Sequence, residues 1–252
     1  MQVEARLAPT RTACHGVRVT LRHVELRVGV PDARPVTADT ALPGAHRAGA
    51  AAVVILAPGA GSDRRHPSLV ALQEALARAG WPTVLFDFPY REAGRRIPDA
   101  RPVLERTWRA VVDAVRTEPR LAPPRVVIGG RSMGGRIATH VAADGADVAG
   151  LVLLGFPLHP AGRPGTERAA HLGRIAAPML FLQGTRDALA RQALLDDVLR
   201  GLPRATMHWL LDADHGFRVP RRRGRTDDEV RAEIVAVLTA WLRNVAPGGP
   251  VV

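Results

Sequence analysis

Lysine is missing altogether from this 252-residue chain; all 35 basic side chains, set against 24 acidic ones, are arginines. Without lysine there is neither a phosphate-binding loop of the GxxxxGK type nor a Schiff base for pyridoxal chemistry. The formal charge of +11 raises the question of nucleic acid. However, the arginines run along the whole chain, and aromatic residues, at 4 %, are too few to interleave with them as a base-stacking platform. Arginine without lysine, with abundant Ala, Gly, Pro and Val, reads instead as codon bias from a GC-rich genome. Cys14 is the single cysteine, so no intramolecular disulfide and no thiolate zinc cluster can form. It reads as a small N-terminal residue, and nothing in the sequence calls for a metal or a cofactor. The longest apolar run, residues 48–58, is too short to span a bilayer. Residues 1–16 hold arginines but no apolar signal core, and a cytoplasmic protein is expected.

Scarce aromatics leave Ala, Val and Leu to fill the core, as they do in a parallel sheet covered by helices. The pattern along the chain agrees. Residues 17–30 alternate as one or two strands through Val17, Val19, Leu21, Val24, Leu26 and Val28. Residues 31–43 are rich in turn formers, with a short strand near Val36. Strands are then expected at 51–57, 83–88, 125–129, 149–155, 179–183 and 206–211. Helices are expected at 67–79, 102–117, 136–142, 191–202 and 227–244. This alternation predicts an α/β fold: an open, mostly parallel sheet with helices on both faces, whose ligands meet the carboxyl ends of the strands. Residues 1–50 are read as N-terminal strands and a connecting loop of the same domain, 51–245 as the core, and 246–252 as a flexible tail.

Serine is nearly as rare as cysteine. Of only three, Ser132 stands in Gly130-Arg131-Ser132-Met133-Gly134, between the strand Arg125-Val126-Val127-Ile128 and a helix. G-x-S-x-G at a strand-to-helix turn lifts a hydroxyl out of a strained backbone. The same turn aims the next amide, that of Met133, at the point where negative charge would develop. The competing reading is a glycine-rich turn that only packs helix on strand.

Two further residues fall at carboxyl ends with complementary chemistry. Asp187 follows the strand Met179-Leu180-Phe181-Leu182-Gln183, and His215 follows His208-Trp209-Leu210-Leu211. A serine hydroxyl needs a base to take its proton, and the base needs a carboxylate to hold its tautomer. His66 and His159 compete for the base role, and Asp212 and Asp214 for the acid. A second oxyanion donor is expected from Pro58-Gly59-Ala60-Gly61, at the amide of Ala60.

From about Ala52 onward the chain resembles the α/β-hydrolase superfamily, near its dienelactone-hydrolase-like members. It is more closely similar to a bacterial branch of hydrolases that resemble the hydrolase-like domains of testis-expressed protein thirty and of the third subunit of the chromatin NSL complex. Carrying that match are Phe88-Pro89-Tyr90 with Gly94-Arg95-Arg96, Gly130-Arg131-Ser132-Met133-Gly134-Gly135, Phe156-Pro157-Leu158-His159-Pro160 and Gln183-Gly184-Thr185-Arg186-Asp187. The resemblance implies a serine-hydrolase fold with Ser132, Asp187 and His215 as triad. It names no substrate. Dienelactone hydrolases carry cysteine where this chain has Ser132, and Pro58 stands where the oxyanion loop often has histidine.

Arg131, Tyr90, Arg91, His159 and Phe217 are the remaining candidates for contacting substrate, with the alternative that the arginines pair with Glu92, Asp99 or Asp63 as loop scaffolding. Residues 156–177 are too short for a lid domain, with room for one short helix at 166–172. The reading is a serine hydrolase acting on a small ester, thioester or related acyl bond. The alternative is a hydrolase-like interaction module with a vestigial site. A dinucleotide-binding enzyme fails because Gly59-Ala60-Gly61-Ser62-Asp63-Arg64 lacks the third glycine. Oligomeric state is not legible.

Overall fold

A computed structural model describes residues 20–246. Cys14, the stretch 1–16, the strand residues Val17 and Val19, and the tail beyond Ala246 lie outside the described residues. β1 (Leu21–Val28) and β2 (Val36–Pro43) form an antiparallel hairpin. Six further strands follow: β3 (Val53–Ala57), β4 (Thr83–Phe86), β5 (Val126–Arg131), β6 (Gly150–Leu154), β7 (Met179–Gly184) and β8 (Ala205–Leu210). They make one eight-stranded sheet in the order β1-β2-β4-β3-β5-β6-β7-β8. β2 meets β4 antiparallel, and every pairing from β4 to β8 is parallel.

The helices are α1 (Pro67–Arg78), α2 (Pro89–Glu92), α3 (Arg101–Thr117), α4 (Met133–Ala143), α5 (Gln192–Arg200) and α6 (Asp227–Val245). Leu69, Leu72 and Leu76 of α1 pack with Val230, Ile234, Leu238 and Trp241 of α6 on one face of the sheet. The stripes of α3 (Leu104, Trp108, Val111, Val115), α4 (Ile137, Ala138, Val141) and α5 (Leu195) cover the other face. The central strands are buried on both faces, which is why β3, β6 and β7 read as unbroken apolar runs. α6 opens with a capping box in which Thr226 and Glu229 satisfy each other's backbone amides.

Three elements depart from the sequence expectation. The short strand near Val36 is eight residues long, because its backbone pairs on both sides with β1 and β4. The strand expected to reach Phe88 ends at Phe86, and residues 89–92 turn into α2 behind Pro89. The helix expected at 166–172 is two single 3-10 turns, Glu167–Ala169 and Leu172–Arg174. Among the described residues no helix is long and apolar enough to cross a membrane.

Candidate active site

β5 and α4 are joined by one residue. Ser132 has φ 50° and ψ −115°, a conformation costing on the order of 1–3 kcal/mol that the surroundings must hold in place. Its N–H donates to the Leu154 carbonyl of β6 at 2.9 Å. Close approach explains the glycines on either side. A Cβ on Gly130 would stand 2.3 Å from the Ala57 carbonyl oxygen, and one on Gly134 would stand 2.5 Å from the carbonyls of both Ala57 and Pro58. The end of β3 and the loop after it therefore press directly on the elbow. From the opposite side, the buried indole of Trp108 donates its Nε1–H to the Gly134 carbonyl at 3.2 Å.

The end of β8 delivers His215. Its Nε2 lies 3.0 Å from Ser132 Oγ, and its Nδ1 lies 2.7 Å from Asp187 Oδ2. With Nδ1–H donating to the carboxylate, Nε2 is left to accept the serine proton. The Asp187 carboxylate is fully enclosed. Besides His215 it accepts Gln183 Nε2 at 2.6 Å and the Leu189 N–H at 2.8 Å. The loops carrying Asp187 and His215 are tied together as well. Thr185 N–H donates to Leu210 O, Arg186 N–H to Ala213 O, and Asp212 N–H to Thr185 Oγ1.

The loop expected to supply the second amide donor is equally local. Gly59 packs 3.5 Å from Ser132 Cβ, measured from the position its own Cβ would take, so Ala60 is the next residue along that wall. The N–H groups of Ala60 and Met133 donate no hydrogen bond within the described residues, and Met133 begins α4, where the helix dipole favours negative charge. Buried Arg64 anchors this loop. Its backbone N–H and Nη1 reach Asp87 at 2.7 and 2.5 Å, and its Nε reaches Asp39 at 2.6 Å. Burial works against the Arg64 charge, but its hydrogen bonds to Asp39 and Asp87 outweigh that and raise its pKa.

The rivals for the base and acid roles are engaged elsewhere. His66 caps α1, its Nδ1 facing Ser68 Oγ at 2.8 Å; burial, with Arg131 and Arg218 nearby, lowers its pKa. His159 accepts the Arg191 N–H at Nε2 (3.0 Å), which makes Nδ1 the protonated nitrogen donating to Pro160 O. Asp212 pairs with Arg223. Asp214 accepts the N–H groups of Gly216 and Arg218 and so shapes the turn in which Phe217 takes a positive φ of 60°.

Among the residues expected to contact substrate, the structure separates two groups. Arg131 and Phe217 line one cavity beside the elbow. Tyr90 is wholly enclosed: its hydroxyl faces the Gly61 backbone without closing a hydrogen bond of normal geometry, and burial raises its pKa. Arg91 is turned to Asp63 at 3.0 Å and to Arg95 O, and His159 is the buried clamp just described. Of these residues expected to face substrate, Arg91 and His159 thus spend polar atoms on neighbouring loops, while the buried Tyr90 hydroxyl has no partner. Sequence reasoning gave no role to Gln183 or Arg64. The signal for Gln183 was a lone amide closing the apolar run of β7, a residue that must find a buried partner.

Comparison with known proteins agrees with this architecture. Residues 50–243 match the family model described as an alpha/beta hydrolase domain. A dienelactone hydrolase from Anabaena variabilis is similar at a TM-score of 0.69 and 21% identity, over 89% of this chain and 98% of that one. A serine hydrolase without lid from Xanthomonas campestris gives 0.68 and 20%, over 90% and 97%. A serine hydrolase homologue from Coxiella burnetii gives 0.67 and 20%, over 85% and 97%. At such identities the likeness speaks for the fold, whereas the family match spans most of the sequence: the chain belongs to the alpha/beta hydrolase family.

Proposed function

We propose that the protein is a serine hydrolase that cleaves a small ester, thioester or related acyl bond through an acyl-enzyme on Ser132. The observation that carries this is the hydrogen-bonded line Ser132–His215–Asp187 at a strained strand-to-helix elbow. In the first half-reaction Ser132 Oγ bonds to the acyl carbon as its proton passes to His215 Nε2. The carbonyl electron pair moves onto oxygen, facing the amides of Met133 and Ala60. Collapse breaks the bond to the leaving group, which takes the proton from His215. Water then repeats the cycle against the acyl-enzyme and releases the acid. Asp187 holds the ring and stabilises its cation throughout.

Residues 156–177 place only two single 3-10 turns near the site. That favours small, freely diffusing substrates over long acyl chains. The motifs quoted earlier support a place beside the bacterial hydrolases resembling testis-expressed protein thirty and the third NSL subunit. The test is hydrolysis of p-nitrophenyl acetate and butyrate by wild type and Ser132→Ala. Turnover abolished by the substitution in a folded protein supports the reading; a wild type inert on every ester of a panel, with a stable protein partner in a pull-down, would favour the interaction-module alternative.

A further inference from the structure

The molecule has a cavity of about 640 Å³ bounded by the start of α1, the turn after His215 and the start of α6. One wall is apolar: Leu69, Leu72, Leu154, Ile234 and Phe217. The polar part holds three arginines alongside Asp214, Asp227, His66 and Ser68. Arg131 leaves the elbow one residue before Ser132 and reaches into this space. Its guanidinium donates only to neutral acceptors, Ser68 Oγ and the His215 carbonyl, each at 3.3 Å, and lies over the Phe217 ring at 5.8 Å. Among the described residues no carboxylate oxygen stands within 4 Å of it, and burial lowers its pKa. Arg218 lines the same cavity and forms no ion pair among the described residues. Arg231 lines it too, paired with Asp228.

A guanidinium taken out of water without a counter-anion is costly. Asp214 and Asp187 favour the Arg131 charge from a distance, but burial outweighs them. Asp214 spends an oxygen on the Gly216 and Arg218 amides, and Asp227 spends one on the Val219 amide. Two unpaired guanidiniums reach one space from different elements, so their donors come from several directions. That arrangement suits a tetrahedral oxyanion better than a single planar carboxylate, which one arginine fork can satisfy alone.

We propose that this cavity is a subsite for a phosphate group, with Arg131 and Arg218 as its ligands and the apolar wall holding the carbon skeleton attached to it. Because Arg131 also touches the His215 carbonyl, the subsite abuts the triad. It makes the natural substrate a phosphate-bearing acyl compound, a conclusion that rests on the hydrolase reading, whereas phosphate binding does not.

The experiment is calorimetric titration of inorganic phosphate, and separately of acetate, into wild type, Arg131→Met and Arg218→Gln at low ionic strength. Arg218 is exposed, so its variant keeps the test decisive should Arg131→Met fail to fold. The expected result is phosphate binding with a Kd of about 1 mM or tighter, weaker acetate binding, and a loss of roughly tenfold or more in each variant. Phosphate binding that is absent, that acetate matches, or that both substitutions leave unchanged overturns the proposal. Failure of Ser132 to turn over any ester while phosphate still binds in this Arg-dependent way would remove the hydrolase reading and leave the subsite standing.

Discussion

Gln183 and His215 hydrogen-bond to the same oxygen, Asp187 Oδ2, at 2.6 and 2.7 Å. The carboxylate is therefore held by a neutral side chain from the preceding strand as well as by the histidine. Gln183→Leu removes that donor inside an enclosed site. The expected outcome is a fall in kcat of about tenfold with KM little changed, since the loss is of positioning. Steady-state kinetics on a short p-nitrophenyl ester measure it.

The elbow tolerates no side chain at Gly134. A methyl there would meet two carbonyl oxygens at 2.5 Å, those of Ala57 and Pro58. Gly134→Ala should destabilise the fold by about 2–4 kcal/mol and push away the loop that carries Ala60. Denaturant unfolding reads the first effect. The second appears as a loss of kcat beyond what the unfolded fraction explains.

Arg64 bridges Asp39 and Asp87 beside the loop that carries Ala60. Arg64→Met leaves the buried Asp87 carboxylate with only the backbone N–H of residue 64 and no cation, at a cost of about 3–5 kcal/mol. Asp87→Asn, which keeps the shape and one acceptor, should cost less. Unfolding midpoints of the two variants against wild type give the comparison.

His140 and His171 stack with ring centroids 3.7 Å apart, and His171 Nε2 lies 2.7 Å from Thr139 Oγ1. Burial first, then neighbouring cations (Arg101, Arg136 and Arg174, partly offset by Asp144 at His140, and joined by His140 itself at His171), lowers both pKa values to about 4. The folded protein thus resists protons that the unfolded chain takes up near its ordinary value of 6.5. Stability is full above pH 6.5 and declines as pH falls toward 4. The loss is on the order of 3 kcal/mol for the pair, below the sum of the two shifts because His140 is partly exposed. The double variant His140→Leu, His171→Leu should flatten that slope. Melting temperatures at pH 7 and pH 5 for both proteins test it.

How much of this was legible in the sequence follows from what each residue depends on. The elbow, the parallel strands and the long helices were readable because local geometry dictates them: glycine where backbones touch, apolar runs where both faces are covered, Pro102 and Gly80 near helix ends. β2 was underestimated because its length comes from pairing with β1 and β4, partners distant in sequence. His159 lies in a loop, and Tyr90 and Arg91 lie in the short helix α2; which way such side chains turn is decided by their neighbours. His159 turns to the Arg191 amide, a partner with no sequence signature, and Arg91 turns to Asp63, the scaffolding alternative stated for it from the sequence. Arg131 was marked as a candidate because it sits inside the motif; its lack of a carboxylate partner could be seen only in three dimensions.

The central claim is that His215 makes Ser132, out of three serines, a nucleophile toward acyl carbon. Treatment with a fluorophosphonate probe followed by peptide mass mapping tests it most directly. One adduct on Ser132, absent in Ser132→Ala and slowed at least about a hundredfold in His215→Ala, is the predicted result. Labelling of wild type and Ser132→Ala to the same extent, or an adduct on any other residue alone, would contradict it.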